Sequence, residues 1–278
     1  MWFHLISASQ NVINPTQIRL ELISNSSEKI NSKFANSTVI FYFRNETMSY
    51  LYLLNYFTTF IPTDEVCDNC YEDGGGYTTD GTGDFSKVTY GPLMDTEWNQ
   101  DDPYNFYARY MNCSYSSLGG KAWAGCVAVA MAQIVNYCEY PTGWQYEYDE
   151  MGTGDAGNLA IAHLMGICAN YVNMDYGCNS SSASTSKAVN VFKNDFGYSN
   201  EADYRDFDVY KVVSDIQRSR PVLLRGCRTS KKVLLWFTYS DCHAWVCDGA
   251  RLITSRNTTV RYMHMNWGWG NREQMIGT

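Results

Sequence analysis

The chain has 278 residues, of which 45% are apolar, 15% aromatic and 18% charged. This composition supports a sizeable hydrophobic core and excludes a largely disordered chain. The 21 basic and 29 acidic residues give a net charge of −8, so we expect neither a nucleic-acid partner nor an anionic-membrane partner, because such proteins carry a basic surface. The longest apolar stretch, Met48–Ile61, is interrupted by Asn55, Thr58 and Thr59 and is shorter than the roughly 18–20 residues that cross a bilayer.

A glycine-rich stretch divides the chain into two predicted parts. Residues 74–84 contain five glycines, a composition that disfavours the interiors of helices and strands. We therefore predict a linker there, with an N-terminal extension over residues 1–88 and a main domain over residues 89–278. The extension contains a β-prone run, Ser37–Phe43, and an apolar segment, Tyr50–Phe60. Its first residues lack the basic flank and the cleavage site of a signal peptide.

The main domain is predicted to begin with helices and to end with strands. Trp98–Tyr110 is expected to be a loop that leads into a short helix, with Pro103 in its first turn. The apolar, Ala-rich run Val127–Tyr137 predicts a helix that is buried on most faces and ended by Pro141 and Gly143. Further helices are expected over residues 158–170, 184–196 and 208–218, and strands over 222–224, 233–239, 243–247 and 260–267. Helices followed by strands predict an α+β fold.

The ten cysteines are scattered along the chain, and their pairing cannot be deduced from the sequence. Cys67 and Cys70 form a lone C-x-x-C pair. A disulfide or two free thiols is favoured there over zinc, because no second pair of ligands follows at a suitable spacing. Six N-x-S/T sequons, at Asn25, Asn36, Asn45, Asn112, Asn179 and Asn257, matter only in a eukaryotic secretory cell.

Cys126 is the residue most suggestive of chemistry. It follows Gly125 at the start of the predicted buried helix, where unpaired amides and the helix dipole favour an anion. A thiol at that position is expected to tend toward the thiolate, which attacks carbonyl carbons. The alternative is a small buried hydrophobe, as expected for Cys138 and Cys168.

A thiolate needs a base, and the chain has four histidines. His243 begins a predicted strand directly after the polar run Tyr239–Asp241, and such a position commonly presents catalytic groups. The alternative role for His243 is that of a histidine packed in the core without a catalytic function. His4, His163 and His264 are expected to have packing or surface roles.

Three further side chains complete a possible site. Asn266 is suited to orient an imidazole ring, because an unanchored ring samples wrong tautomers and rotamers. The flanking Trp267 and Trp269 can shield that contact from water. Gln100 can donate to an oxyanion together with the amide of Cys126.

The order Gln100, Cys126, His243, Asn266 fits a papain-like layout, and the flanking residues make the match specific. The motifs are Pro92-Leu93, Trp98-Asn99-Gln100, Pro103-Tyr104-Asn105, Gly125-Cys126-Val127-Ala128, Tyr140-Pro141, Met174-Asp175-Tyr176-Gly177, Phe196-Gly197-Tyr198, Arg220-Pro221-Val222, His243-Ala244, Asp248-Gly249-Ala250 and Asn266-Trp267-Gly268-Trp269-Gly270. From Gly91 to Gly270 the sequence resembles the streptopain family of papain-like cysteine peptidases.

The resemblance implies a papain-like α+β fold, in which a helix carries the nucleophile and an antiparallel sheet carries the histidine and the asparagine. It implies Cys126 as nucleophile, His243 as general base, Gln100 as oxyanion-hole amide and Asn266 as ring orienter. Trp267 and Trp269 become walls of the site, and Ser182 and Cys242 occupy the positions that contact substrate in the family.

The resemblance also implies a cysteine endopeptidase that acts on proteins or peptides without a metal or organic cofactor. Members of the family are mostly secreted as zymogens, so we expect a secreted monomer in which residues 1–88 occupy the place of the inhibitory propeptide. The glycine-rich linker is then the natural zone for activating cleavage.

Three departures motivate a second hypothesis. Cys242 stands where the family usually has glycine, and the stretch Gly226–His243 is longer than the family's short loop. The sequence ends at Thr278, eight residues after Gly270, which we interpret as a truncation or an atypical gene model. The alternative function is therefore a catalytically impaired homologue that acts as a protein-binding or inhibitory module.

Overall fold

The structure is a computed structural model that describes residues 2–6, 39–44, 49–59, 75–79, 85–141, 154–233, 236–255 and 258–270. Its strands are β1 (Trp2–Ile6), β2 (Val39–Arg44), β3 (Ser49–Thr59), β4 (Gly75–Thr79), β5 (Phe85–Tyr90), β6 (Asp203–Asp206), β7 (Val222–Val233), β8 (Trp236–Ser255) and β9 (Thr258–Asn266). Its α-helices are α1 (Cys126–Cys138), α2 (Gly154–Tyr171), α3 (Thr185–Asn190) and α4 (Val209–Gln217).

Helix α1 is the buried helix that the sequence predicts. It is rich in alanine and valine, and every residue from Val127 to Val135 is buried. Gly125 precedes it with a φ of 96°, a conformation that glycine adopts without the steric cost paid by other residues. The helix packs against α2 on one side and against β8 on the other. Its first residue, Cys126, therefore lies where helix and sheet meet.

The strands form one antiparallel sheet in the order β1-β9-β8-β7-β3-β2, with β5 also paired to β8, β4 to β5 and β6 to β3. Strands β7 and β8 form a long hairpin in which Gly226 lies opposite His243 and Cys227 lies opposite Cys242. Residues directly opposite each other in a sheet share a face, and neighbours along a strand alternate between faces. This register decides which side chains meet helix α1.

The two faces of the β7–β8 hairpin belong to two hydrophobic clusters. Leu223, Ala244 and Val246 pack in the cluster that contains α1. Val222, Leu224 and Trp245 pack in the other cluster, together with Val212 and Ile216 of α4. The β7–β8 hairpin is consequently packed on both faces, and Ala244 lies on the face that meets α1.

The predicted α+β class is confirmed, and so are the four main helices. The third predicted helix is divided into α3 and a π-helical turn, Val191–Asp195. Helix α4 is capped by Asp208, whose carboxylate accepts hydrogen bonds from the amides of Tyr210 and Lys211. Among the described residues no helix is long and apolar enough to cross a membrane.

Several local predictions are wrong. Trp98–Tyr110 forms turns instead of a short helix, and Tyr239–Asp241 lies inside β8 instead of forming a turn before it. Gly75 and Gly76 belong to β4, where their backbones pair with β5, so pairing with a neighbour outweighs the low strand propensity of glycine. The proposed division at residue 88 falls within β5 and remains a prediction.

Some predictions concern residues that the structure does not describe. These are the Cys67/Cys70 pair, the sequons at Asn25, Asn36, Asn45 and Asn257, and residues 271–278. Of the remaining sequons, Asn112 and Asn179 are exposed.

Candidate active site

Cys126 begins α1, and its thiol contacts the strand that carries His243. The backbone amides of Ala244, Val127 and Cys126 itself lie near enough to the thiol to lower its pKa. Ala244 directly follows His243 on β8, so the structure brings the predicted nucleophile and the strand of the predicted base together. Cys126 keeps part of its surface exposed, as a residue that attacks a substrate must.

The thiol is not ionised in advance. Burial raises the pKa of Cys126, and this effect outweighs the opposing effects of the three amides and the nearby Arg225 guanidinium. The expectation of a thiolate, drawn from the helix N-terminus alone, is therefore wrong for the free protein. The helix dipole acts here, but desolvation of the anion is the larger effect.

His243 is held by a single hydrogen bond to the backbone. Its Nε2 atom lies 2.9 Å from the carbonyl oxygen of Trp267. Since a carbonyl oxygen can only accept, Nε2 carries the proton, and in the neutral ring Nδ1 keeps a lone pair that can accept one. Burial lowers the pKa of His243 to about 4. The ring is consequently a neutral base at neutral pH.

Three tryptophans surround the His243 ring. Trp269 stacks on it with 4.6 Å between ring centroids and 26° between planes. Trp245 and Trp267 follow at 5.9 Å and 6.3 Å. This aromatic packing leaves His243 8% exposed and explains why the charged form of the ring is disfavoured.

Among the described residues, the hydrogen bonds of the Asn266 side chain go to Thr96 and Gly268, whereas the sequence predicts one to the histidine ring. Its Nδ2 donates to the carbonyl oxygen of Thr96 at 2.7 Å and to the Thr96 hydroxyl at 3.2 Å. Its Oδ1 accepts from the amide of Gly268 at 3.2 Å. Asn266 therefore fixes the turn that contains Trp267, and the Trp267 carbonyl takes the place on the ring that sequence reasoning assigned to the Asn266 amide.

Residues 93–100, called the strap below, connect this turn to the nucleophile helix. The amide of Leu93 donates to the carbonyl of Asp248 at 2.7 Å, and the Thr96 hydroxyl donates to Oε1 of the fully buried Gln133 at 2.7 Å. The strap also accepts a hydrogen bond from Gly270 through the carbonyl of Trp98. Helix α1, the strap and the turn formed by residues 267–270 are thus joined by hydrogen bonds.

Gln100 ends the strap close to the nucleophile. Its carbonyl accepts from the amide of Ala124 at 2.9 Å, two residues before Cys126. In the part of the chain that the structure describes, the half-buried Gln100 side chain forms no hydrogen bond. Its amide remains available for a ligand.

Ser182 and Cys242, which are predicted to contact substrate, lie in two separate segments that are each cross-linked by a disulfide. Ser182 is exposed and pairs with Asp175 through both backbone hydrogen bonds, at 2.8 and 2.9 Å. A disulfide between Cys113 and Cys178 fastens that segment to the chain before α1. Cys242 is not a free thiol, because it forms a disulfide with Cys227 across the hairpin.

The other histidines and thiols have different surroundings. His264 lies 2.7 Å from the fully buried carboxylate of Asp248 through Nδ1, and the His163 ring lies 5.0 Å from that of Tyr107. Burial raises the pKa of Cys138 to about 12 and raises those of Cys168 and Cys247 further. Within the described residues no cluster of side chains is suited to hold a metal ion.

Comparison with known proteins relates the sequence to a peptidase family. A profile of the Peptidase C10 family matches residues 98–157 and 145–274. Streptopain of Streptococcus pyogenes is 27% identical over 239 residues, covering 68% of this chain and 56% of streptopain. This chain therefore spans about half the length of the curated relatives it matches.

Two solved structures from Prevotella intermedia are also similar. Active wild-type interpain A cysteine protease has 21% sequence identity and a TM-score of 0.46, covering 65% of this chain and 82% of that one. A prointerpain A fragment has 16% identity and a TM-score of 0.46, covering 85% of this chain and 90% of that one.

The Thr96 contacts yield a first prediction. Thr96→Val removes the hydroxyl that links Asn266 to Gln133 and leaves the buried Gln133 oxygen without its donor. We expect the free energy of unfolding to fall by about 1–3 kcal/mol and peptide cleavage to slow, because the turn that holds the Trp267 carbonyl loosens. Urea denaturation and peptide hydrolysis measure both effects. Thr96→Ser keeps the hydroxyl and serves as control; equal behaviour of the two variants would contradict the network.

The pKa of His243 yields a second prediction. The acidic limb of the kcat/KM profile should lie near pH 4 instead of near the ordinary value of 6.5, because the folded ring stays neutral down to about 4.

The same pKa shift makes the free energy of unfolding depend on pH. The unfolded ring takes up its proton near 6.5, so the contribution of the His243 ring to stability is complete above that pH and is lost as the pH falls to about 4. Urea denaturation between pH 7 and 4.5 checks this loss against His243→Gln, which should lack it. An acidic limb near 6.5 would show that the ring is solvated.

Proposed function

The chain belongs to the Peptidase C10 family, and from this premise we propose that it is a cysteine endopeptidase that cleaves peptide bonds through a thioester acyl-enzyme. The observation that carries the proposal is the packing of α1, which begins at Cys126, against β8, which carries His243. The helix that begins with the proposed nucleophile packs against the strand that carries the proposed base, and the amides at the start of this helix face the thiol.

In the first step the thiol and the imidazole start uncharged. As substrate binds, Nδ1 of His243 accepts the Cys126 proton while the sulfur attacks the scissile carbonyl carbon. The Trp267 carbonyl keeps the proton on Nε2 and stabilises the resulting imidazolium. Because the pKa of Cys126 is raised and that of His243 is lowered, charge separates only when the substrate supplies an oxyanion that the site stabilises.

Two donors are assigned to that oxyanion. One is the amide of Cys126 at the N-terminus of α1, and the other is the side chain of Gln100, whose backbone is tied by the Gln100–Ala124 hydrogen bond two residues before the nucleophile. Preorganised donors in a site with little water stabilise developing charge strongly. The strap therefore contributes to catalysis by fixing where Gln100 stands.

The remaining steps return the enzyme to its starting state. The imidazolium of His243 gives its Nδ1 proton to the departing amine, which leaves a thioester on Cys126. His243 then removes a proton from water, the hydroxide attacks the thioester carbonyl, and collapse of the intermediate releases the acid and restores the thiol. No step needs a metal or an organic cofactor.

We also propose how substrate, compartment and activation relate to the structure. Substrate contact is assigned to Ser182, Cys242, Trp267 and Trp269, with proteins or peptides as partners and the protein acting as a monomer. The disulfides Cys113–Cys178 and Cys227–Cys242 favour secretion, since such bonds persist in oxidising compartments. Residues 1–88 are proposed to act as the propeptide of a zymogen.

One observation favours the alternative of an impaired homologue. The Cys227–Cys242 disulfide places sulfur beside His243, where the family usually has glycine, and this narrows the approach of a substrate backbone. The alternative predicts binding of peptides at the same cleft without turnover.

Substitutions at the nucleophile and the oxyanion donor test the proposal. Cys126→Ala should abolish cleavage of an unstructured protein such as casein without unfolding the chain, because alanine suits the start of α1. Gln100→Ala should lower kcat by about a hundredfold or more, the scale for loss of one oxyanion donor. Both effects are measured by hydrolysis of a fluorogenic peptide, with folding checked by circular dichroism.

Cys138→Ala is the matched control, since it removes a buried thiol at the other end of the same helix and should leave cleavage in place. Undiminished cleavage by Cys126→Ala would refute the assignment. Rapid labelling of Cys126 by iodoacetamide in a wild-type chain that cleaves nothing would favour the binding module.

A further inference from the structure

Arg225 occupies the face of the sheet that meets the nucleophile. It lies opposite Ala244 in the β7–β8 hairpin, and Ala244 is the residue whose amide contacts the Cys126 thiol. The guanidinium is close enough to Cys126 to lower the pKa of the thiol, although burial outweighs that effect. A cation therefore lies on the face of the sheet that packs against the nucleophile helix.

The Arg225 side chain has no anionic partner of its own. It is half-buried, and its Nη2 donates to the Cys242 sulfur at 3.2 Å. No carboxylate of the described chain forms an ion pair with it, whereas Asp203 pairs with Arg205 and Asp215 with Arg220. A disulfide sulfur is a weak acceptor, so most donors of this guanidinium are unsatisfied by the protein.

We propose that Arg225 determines specificity by binding a substrate carboxylate next to the scissile bond. The inference rests on the proposed peptidase function. A half-buried guanidinium binds a carboxylate through parallel, charge-assisted hydrogen bonds, which are stronger than neutral ones. The contact of Nη2 with the Cys242 sulfur places the guanidinium against the Cys227–Cys242 disulfide, and a cation at that place favours a planar anion over a neutral amide of the same shape.

The carboxylate has two possible sources, a Glu or Asp side chain within the substrate and the free C-terminus of a short leaving peptide. Arg225 recognises both by the same chemistry. Matched peptides separate them: Glu is compared with Gln at each of three positions on either side of the scissile bond, and a C-terminal acid is compared with its amide.

The experiment compares the ratio of kcat/KM for the Glu and Gln peptides within each full-length variant. Wild type should prefer Glu at one position by about 10- to 100-fold, the range for a hydrogen bond to a charged group. Arg225→Gln should bring the ratio close to one, and Arg225→Lys should keep part of it. Arg218→Gln, which removes an exposed charge at the end of α4, should leave the ratio unchanged.

Two results would overturn the inference while leaving the peptidase function intact. One is efficient cleavage by wild type with equal rates for acid and amide at every position. The other is a Glu preference that persists in Arg225→Gln.

A wild-type chain that cleaves no peptide would instead count against the proposed function. Arg225 is then tested by fluorescence anisotropy with Cys126→Ala, alone and combined with Arg225→Gln. Tighter binding of the Glu peptide, lost on Arg225→Gln, supports the carboxylate site, and equal binding of the two peptides overturns it.

Discussion

The hydrogen bond between Nε2 of His243 and the carbonyl of Trp267 is the constraint on which the site depends. It fixes the tautomer of the ring and so decides which nitrogen can accept a proton. A backbone carbonyl cannot rotate away as a side-chain amide can, but its position depends on the turn that contains it. Asn266 holds that turn through Gly268, and the strap holds Asn266 through Thr96. The base is thus oriented by a chain of contacts that ends in Gln133 of the nucleophile helix.

The charge states of Cys126 and His243 follow from their burial away from water. Burial lowers the pKa of His243 and raises the pKa of Cys126, so neither side chain is expected to carry a charge before substrate binds. Such a site does not depend on a preformed ion pair; it depends on donors that act when the oxyanion forms. Arg225 is a charged side chain on the same face of the sheet as Ala244, and among the described residues no carboxylate forms an ion pair with it.

The sequence predicts the fold class and the packing of α1 against the sheet well, because both rest on strong local patterns. Gly125-Cys126 before an Ala-rich run specifies a buried helix that starts at the thiol, and the motifs after Arg220 specify a sheet. The role of Asn266 could not be predicted in this way, because its partner Thr96 is distant in sequence and carries no pattern. The turn expected at Tyr239–Asp241 failed for a related reason: pairing with β7 outweighs the local preference of polar residues.

One signal in the sequence could have revealed part of the network. Gln133 is the only polar residue between Val127 and Val135, and a buried amide needs a partner. That requirement points to a hydrogen-bonded contact on the sheet side of α1, which the structure places at Thr96. The sequence alone, by contrast, does not distinguish Arg225 from other strand residues. Its place opposite Ala244 follows only from the register of the β7–β8 hairpin.

The most direct test of the central claim is intact-mass spectrometry of the full-length protein, acid-quenched during turnover of a peptide ester. If catalysis passes through an acyl-enzyme, we expect a transient mass increase equal to the acyl group. Peptide mapping should locate it on Cys126, and it should be absent from Cys126→Ala. Hydrolysis without any such adduct, or an adduct on another cysteine, would contradict it.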